Sequence, residues 1–185
     1  MKIIVWNSQD KCVADYHKLI RGCDVLCLLD CGQWTVPVYA LQIQNGLFHW
    51  KDEHEGLSYD IFYCLEKVAF ICRDGLYSGE SVLYSIHSNI GSLVGIRLQD
   101  DFWLFANHES NRSNACHIGE FYLREISDRF RKAAFVADFK EKSYSWAQET
   151  IGRLYCIAPP KGYHPHTINL SLIHISEPTR PRLIS

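Results

Sequence analysis

Four apolar segments of the sequence each stop at a polar side chain that hydrophobicity alone would not choose. The first ends at Asn7 and the second at Asp30. A third ends in Asn107-His108-Glu109, and a fourth at Asp138. Two carboxylates, an amide and an imidazole suit two kinds of work. The oxygens can hold a hard divalent cation, and an imidazole titrating near neutrality can hold or move a proton. In a layered sheet protein, strand ends gather at a rim and the loops there carry function. Each residue taken singly could equally cap or terminate its strand; the four together argue for a site.

Other groupings point less clearly. Cys23, Cys27 and Cys31 are spaced four apart, a metal-binding face if helical. The apolar run around Cys27 reads instead as a strand, where such steps spread ligands over ~13 Å, so buried reduced thiols are the better reading. The even count of eight cysteines argues for disulfides only in a short secreted chain. Asp52, Glu53, His54 and Glu55 could bind a cation but read as a solvated loop. His164 and His166, flanking Pro165, read as a polar loop. Arg124, Arg129, Arg131 and Lys132 read as a solvated helix face, and Trp103 alternates with apolar neighbours as sheet core does. Asn111-Arg112-Ser113 matches a glycosylation sequon, which means little without a secretory leader.

The elements that must position these residues follow from periodicity. Residues 2–6 form an apolar, β-branched run and predict a strand. Residues 12–20 have helical spacing, with Val13, Tyr16 and Ile20 on one side, and Gly22 closes that helix. Residues 24–29 are continuously apolar and predict a buried strand. Strand, helix, strand is the opening of an α/β layered domain. Residues 33–56 read weakly. Strands are predicted over 59–65, 68–72, 80–86, 92–98 and 102–106, with a tight turn at Glu66-Lys67 and a hairpin connection at Gln99-Asp100-Asp101. The best helix spans 116–131, capped by Asn114. A buried strand covers 133–137, a short helix 144–151 and a strand 153–157. No repeat, low-complexity tract or linker divides the chain.

Composition agrees with one globular unit. The chain has 185 residues, 47% hydrophobic and 22% charged, which excludes a disordered tail, a collagen-like repeat or a coiled coil. A net charge of −2 argues neither for nor against nucleic acid. No apolar run approaches the ~20 residues of a membrane helix, and no signal-peptide pattern opens the chain. As written, a cytoplasmic location is expected; an upstream start would leave secretion open.

The segment Leu170 to Arg180, LSLIHISEPTR, reads as the translation of a transposase sequencing adapter. The three codons of Pro181, Arg182 and Leu183 fit the sample index that interrupts the adapter, and Ile184-Ser185 resumes it. Residues 170–185 are therefore expected to be a non-native tail, leaving 1–169 as an incomplete domain. That tail holds one Glu and two Arg.

Six segments in order resemble the DNase I-like endonuclease/exonuclease/phosphatase superfamily, and within it the nuclease subunit of cytolethal distending toxins. They run from about residue 2 to 168. Val5-Trp6-Asn7-Ser8-Gln9 resembles the family's T-W-N-L-Q. Cys27 to Gly32, CLLDCG, sits where the family has a strand ending Q-E-A-G. Val68 to Arg73, VAFICR, resembles a strand ending in a phosphate-binding arginine. Val94 to His108, VGIRLQDDFWLFANH, resembles V-G-I-R-I-G-x-D-x-F-F-T-x-H, with the catalytic histidine last. Val136 to Lys140, VADFK, stands at G-D-F-N. Ile157-Ala158-Pro159 and His164 resemble the late I-A-P and T-H segment.

The resemblance implies an α/β (α+β) layered sandwich, two mixed β-sheets flanked by helices, truncated at the C-terminus. It implies hydrolysis of a phosphodiester or phosphomonoester with Mg²⁺ (or Mn²⁺ or Ca²⁺). Asn7 and Asp30 would hold the metal, and Asp138 would orient or deprotonate water. Arg73 would pair with phosphate, and His108 would donate to the phosphoryl group. Asp30 departs from the family's Glu by one methylene, and a ligand shifted by ~1 Å can cost about 10²-fold in rate. Lys140 replaces the family's Asn beside metal and substrate. The family's terminal Ser-Asp-His lies beyond Asn169, so the chain as given is expected to be inactive. DNA is the leading substrate. A phosphoinositide or other phosphoester phosphatase is the alternative, and a degenerate binding homologue the third reading. Partner toxin subunits are not indicated by the sequence.

Overall fold

The computed structural model describes residues 1–8, 13–31, 36–64, 68–85, 92–108, 129–130, 132–137, 155–157 and 166–169. The predicted turn at 66–67, the predicted helix at 144–151, residues 170–185 and all of the predicted 116–131 helix except 129–130 lie outside them. The opening strand–helix–strand unit forms as β1 (Lys2–Asn7), α1 (Val13–Arg21) and β2 (Val25–Leu29). β1 and β2 pair in parallel, Ile3 opposite Val25 and Asn7 opposite Leu29. α1 ends as its spacing predicts, with the Gly22 N–H donating to the Leu19 carbonyl at 3.0 Å.

β3 (Leu41–Gln44), β4 (Leu47–Asp52), β5 (Leu57–Cys64) and β6 (Val68–Arg73) extend the first sheet. β7 (Tyr77–Ser85), β8 (Ser92–Leu98) and β9 (Phe102–His108) start the second. β10 (Ala133–Ala137) and β11 (Tyr155–Ile157) join β9 in parallel, and β12 (His166–Asn169) returns antiparallel to β1. From β3 to β6 and from β7 to β9 consecutive strands pair antiparallel, whereas β9, β10 and β11 pair in parallel. The first sheet has the order β12-β1-β2-β6-β5-β4-β3 and the second β11-β10-β9-β8-β7.

Strand alternation assigns the two faces of the first sheet. Ile3, Val5, Val25, Cys27, Leu29, Val68 and Phe70 point inward. They meet Val94, Ile96, Leu104, Ala106, Ala134 and Val136 of the second sheet in one buried layer. Ile4, Trp6, Leu26, Leu28, Trp50, Tyr59, Ile61 and Ile71 point outward, with Ile20 of α1 and Cys23 among them. On the far side of the second sheet, the Phe130 ring packs on Trp103 and Phe105, centroids 4.7 and 5.0 Å away. Trp103 thus belongs to the core, as its alternation predicts. Cys27 faces inward while Cys23 and Cys31 lie in the outer cluster, so these three thiols cannot converge on one ion. Burial pushes their chemistry away from thiolate: Cys23 rises to about 11, and Cys27 well above its ordinary value.

The expectation of helix-flanked α/β layers is corrected. Among the described residues two mixed sheets make most of the structure, and α1 is the one complete α-helix. From β3 to β6 and from β7 to β9 the strands pair antiparallel with their neighbours in sequence, which short connections allow and parallel pairing does not. The β3–β4 hairpin was not predicted. It turns at Asn45-Gly46, where Gly46 has a φ of +75° and a Cβ would meet the Tyr63 carbonyl oxygen at 2.7 Å. No helix among the described residues is long and apolar enough to cross a membrane.

A buried charge network ties α1 to the β4–β5 turn. Asp52 is 2% exposed and accepts from the His54 N–H at 3.0 Å, with His17 Nε2 at 2.9 Å and Arg21 at 3.5 Å. Arg21 also reaches Glu55 at 3.0 Å. The acidic 52–55 segment is thus anchored to α1 rather than solvated throughout. Burial pushes the Asp52 carboxyl up, but the His54 amide, His17 and Arg21 outweigh it and hold the group below its ordinary value. The ionised form therefore stabilises the fold above the unfolded-state value of about 3.9, and this contribution disappears as pH falls through the lower folded value. Asp52→Asn is expected to cost roughly 1–3 kcal/mol at pH 7. In urea unfolding, the gap from wild type should close as the pH drops below about 4.

Gly95 supplies a second test. It stands opposite Phe105, whose ring lies over it so closely that an added Cβ would overlap Cε1 and Cδ1. Gly95→Ala is expected to destabilise by about 1–3 kcal/mol through overpacking. Adding Phe105→Leu should recover part of that loss in thermal unfolding.

A candidate active site at one end of the sandwich

The two ends of the sandwich can be told apart from the crossover between sheets. β6 finishes at Arg73, and the Leu76 N–H donates back to the Arg73 carbonyl at 3.0 Å. β7 then begins in the second sheet with Tyr77 opposite Leu98, and the Gln99 N–H donates to the Leu76 carbonyl at 3.0 Å. The Arg73 end of the first sheet therefore lies with the Gln99–Asp101 end of the second. At the other end of the first sheet β1 finishes at Asn7 and β2 at Leu29, and at the other end of the second β9 finishes at His108 and β10 at Ala137.

Local geometry explains how Asn7 and Asp30 come to be neighbours. Parallel pairing puts Asn7 beside Leu29. Ser8, 1% exposed, then locks the exit: its N–H donates to the Leu29 carbonyl at 2.8 Å and its Oγ to the same oxygen at 3.3 Å. The Ser8 hydroxyl also lies 3.5 Å from the Asp30 carbonyl. Asp30 takes a φ of +52°, a left-handed conformation that Asp tolerates better than most residues. The turn breaks strand alternation, because Cys31 falls in the outer cluster with Leu26 and Leu28 instead of the inner one. Asn7 and Asp30 are both partly buried, and Asn7 Oδ1 is shielded from solvent. An amide and a carboxylate are oxygen donors of the kind a hard cation such as magnesium accepts while keeping most of its waters.

Across the sandwich, His108 closes β9 opposite Ser92 of β8, and Asn107 pairs with Ala137 of β10. The register thus sends Asn7 and Asp30 out together from the first sheet, and His108 and Ala137 out together from the second. Asp138 and Lys140 lie outside the described residues; Ala137, next to Asp138, closes β10.

Arg73 does not leave the first sheet with Asn7 and Asp30. β6 runs antiparallel to β2, with Leu29 opposite Val68 and Val25 opposite Cys72, so Arg73 emerges at the far end. There its N–H donates to the Asp24 carbonyl at 2.9 Å, Nη2 to the Cys23 carbonyl at 3.3 Å, and Nη1 lies 3.7 Å from Asp24 Oδ1. Arg73 therefore leaves the first sheet beside Asp24, at the end away from Asn7 and Leu29. Ser8 was missed by sequence reading as a positioning residue; its place directly after Asn7 was the available signal.

The fold is shared with known structures. The crystal structure of truncated Caenorhabditis elegans TDP2 aligns with a TM-score of 0.52 at 16% identity, over 77% of this chain and 64% of that one. TDP2 from C. elegans aligns with a TM-score of 0.52 at 15% identity, over 77% of this chain and 49% of that one. The chain thus spans between about half and two-thirds of their length, and the likeness supports the DNase I-like fold. No family model and no curated protein sequence matches the chain.

The exit geometry is testable by stability. Ser8→Ala is expected to cost about 1 kcal/mol for the lost buried hydrogen bond. Asp30→Val should cost about 1–3 kcal/mol for forcing a β-branched residue to positive φ, while Asp30→Gly should cost less than Asp30→Val. Urea unfolding of the three variants checks the order.

Proposed function

We propose that this chain derives from a divalent-metal-dependent phosphodiester hydrolase, with DNA as the substrate and an endonuclease like the toxin nuclease subunit as the nearest functional model. The reading is supported by the paired exit of Asn7 and Asp30 from β1 and β2, with His108 closing β9 of the second sheet, in a fold shared with TDP2. Asn7 and Asp30 would hold the cation, Mg²⁺ by choice of donor atoms, with Mn²⁺ as a substitute. When bound, the ion supplies positive charge beside the phosphoryl oxygens. His108 donates a hydrogen bond or proton to the phosphoryl group, and Asp138 accepts a proton from the attacking water or orients it. Lys140 offers an ammonium to the substrate phosphate. Arg73, committed to Asp24 at the far end, takes no part.

A second reading is a degenerate homologue that binds without cutting. It is favoured by Asp30, shorter than the family's glutamate, and by Lys140, a cation where the family has an amide. The activity of the purified protein separates the readings. Plasmid nicking with Mg²⁺ is expected, falling at least about 10²-fold in His108→Ala and in Asp138→Asn, and staying within about twofold in Arg73→Ala. Release of phosphate from phosphoinositides without nicking would move the substrate to a lipid phosphoester. If Mg²⁺ supports neither reaction and His108→Ala changes nothing, the enzyme reading is wrong.

A further inference from the structure

A second cluster of metal-ligating side chains sits away from this end. His49 on β4 stands directly opposite Asp60 on β5, with Nδ1 and Oδ1 3.0 Å apart. Asp74 follows β6 and is fixed by its N–H donating to the Ser58 carbonyl at 2.9 Å. One ligand atom from each of His49, Asp60 and Asp74 lies within 4.8 Å of the others. Their neighbours Trp50, Tyr59 and Ile61 fill the outer cluster beneath α1. Alternation therefore turns His49 and Asp60 to the opposite face, beside Cys72 of the inner layer, which stands opposite Asp60. Both side chains stay partly open, at 35% and 22% exposure, so an ion can arrive from solvent.

Charge and geometry agree on what this cluster would take. Two carboxylates face one imidazole, and among the described residues no lysine or arginine forms an ion pair with Asp60 or Asp74. A divalent cation would balance the pair. Ligand atoms around zinc at ~2.0–2.2 Å stand about 3–3.5 Å from one another, so a small rotation of the exposed Asp74 side chain closes the set. Mixed imidazole and carboxylate donors suit zinc-like ions, whereas magnesium and calcium prefer oxygen alone. Three strands rigidly paired in register hold the ligands, although His49, Asp60 and Asp74 share no local sequence motif.

We propose that His49, Asp60 and Asp74 form a binding site for a divalent transition-metal ion of the zinc class, separate from the Asn7 and Asp30 oxygens at the other end of the sandwich. The site rests on the β4–β5–β6 register alone and stands or falls independently of the hydrolase reading. The test is calorimetric titration of the reduced chain with Zn²⁺, alongside the Co²⁺ absorption spectrum. One tight equivalent is expected, weakened at least tenfold in His49→Ala and in Asp74→Asn, and unchanged in Asp30→Asn. The Co²⁺ spectrum should lack thiolate charge-transfer bands. Asp74 is exposed, so Asp74→Asn remains informative if His49→Ala fails to fold. Zinc affinity within twofold of wild type in Asp74→Asn, a thiolate band, or no binding would overturn the proposal.

Discussion

The structure depends on the face-to-face packing of two sheets whose strands run along a common direction. Their inner aliphatic rows, from Ile3 and Val5 to Ala134 and Val136, leave no room for a polar group along their length. In the strands that line this layer, Asn7 and His108 stand at strand ends, and the direction of each strand decides which end. Parallel pairing of β1 with β2 sends Asn7 and Asp30 out together. Parallel pairing of β9 with β10 does the same for His108 and the chain leaving Ala137. The short crossover from Arg73 to Tyr77 carries the chain from the first sheet to the second.

This dependence on direction explains what the sequence disclosed and what it hid. Apolar runs bounded by polar residues marked β8 at Ser92–Leu98 and β10 at Ala133–Ala137 with the predicted bounds. These strands are buried in the inter-sheet layer, where composition alone defines them. β3 and β4 escaped because β3 is exposed along its length and β4 only partly buried. Neither has a hydrophobic run to read, and only the Asn-Gly pair betrayed the turn. β12 pairs with β1 from the far side of the sequence, and nothing local to His166–Asn169 announces a partner so distant.

The candidate site was legible to the same degree. An abrupt stop of hydrophobicity located Asn7, Asp30 and His108 at strand ends, because no other position in a two-sided core tolerates them. Arg73 also ends an apolar strand, and a motif read in one dimension cannot tell that β6 runs against β2. The His49, Asp60 and Asp74 cluster was invisible for a related reason: its members meet across strands, so their sequence spacing carries no ligand pattern. Ser8 belongs to a third kind, a positioning residue whose role lies in two hydrogen bonds to the neighbouring strand rather than in any chemistry of its own.

The proposed cation site lies where β1, β2 and β9 end, and anomalous scattering from a crystal of the protein grown with Mn²⁺ would locate it. A peak is expected within coordination distance of the Asn7 and Asp30 side-chain oxygens, with the His108 imidazole facing it. Absence of density there, or His108 at the Arg73 end of the sandwich, rules that site out.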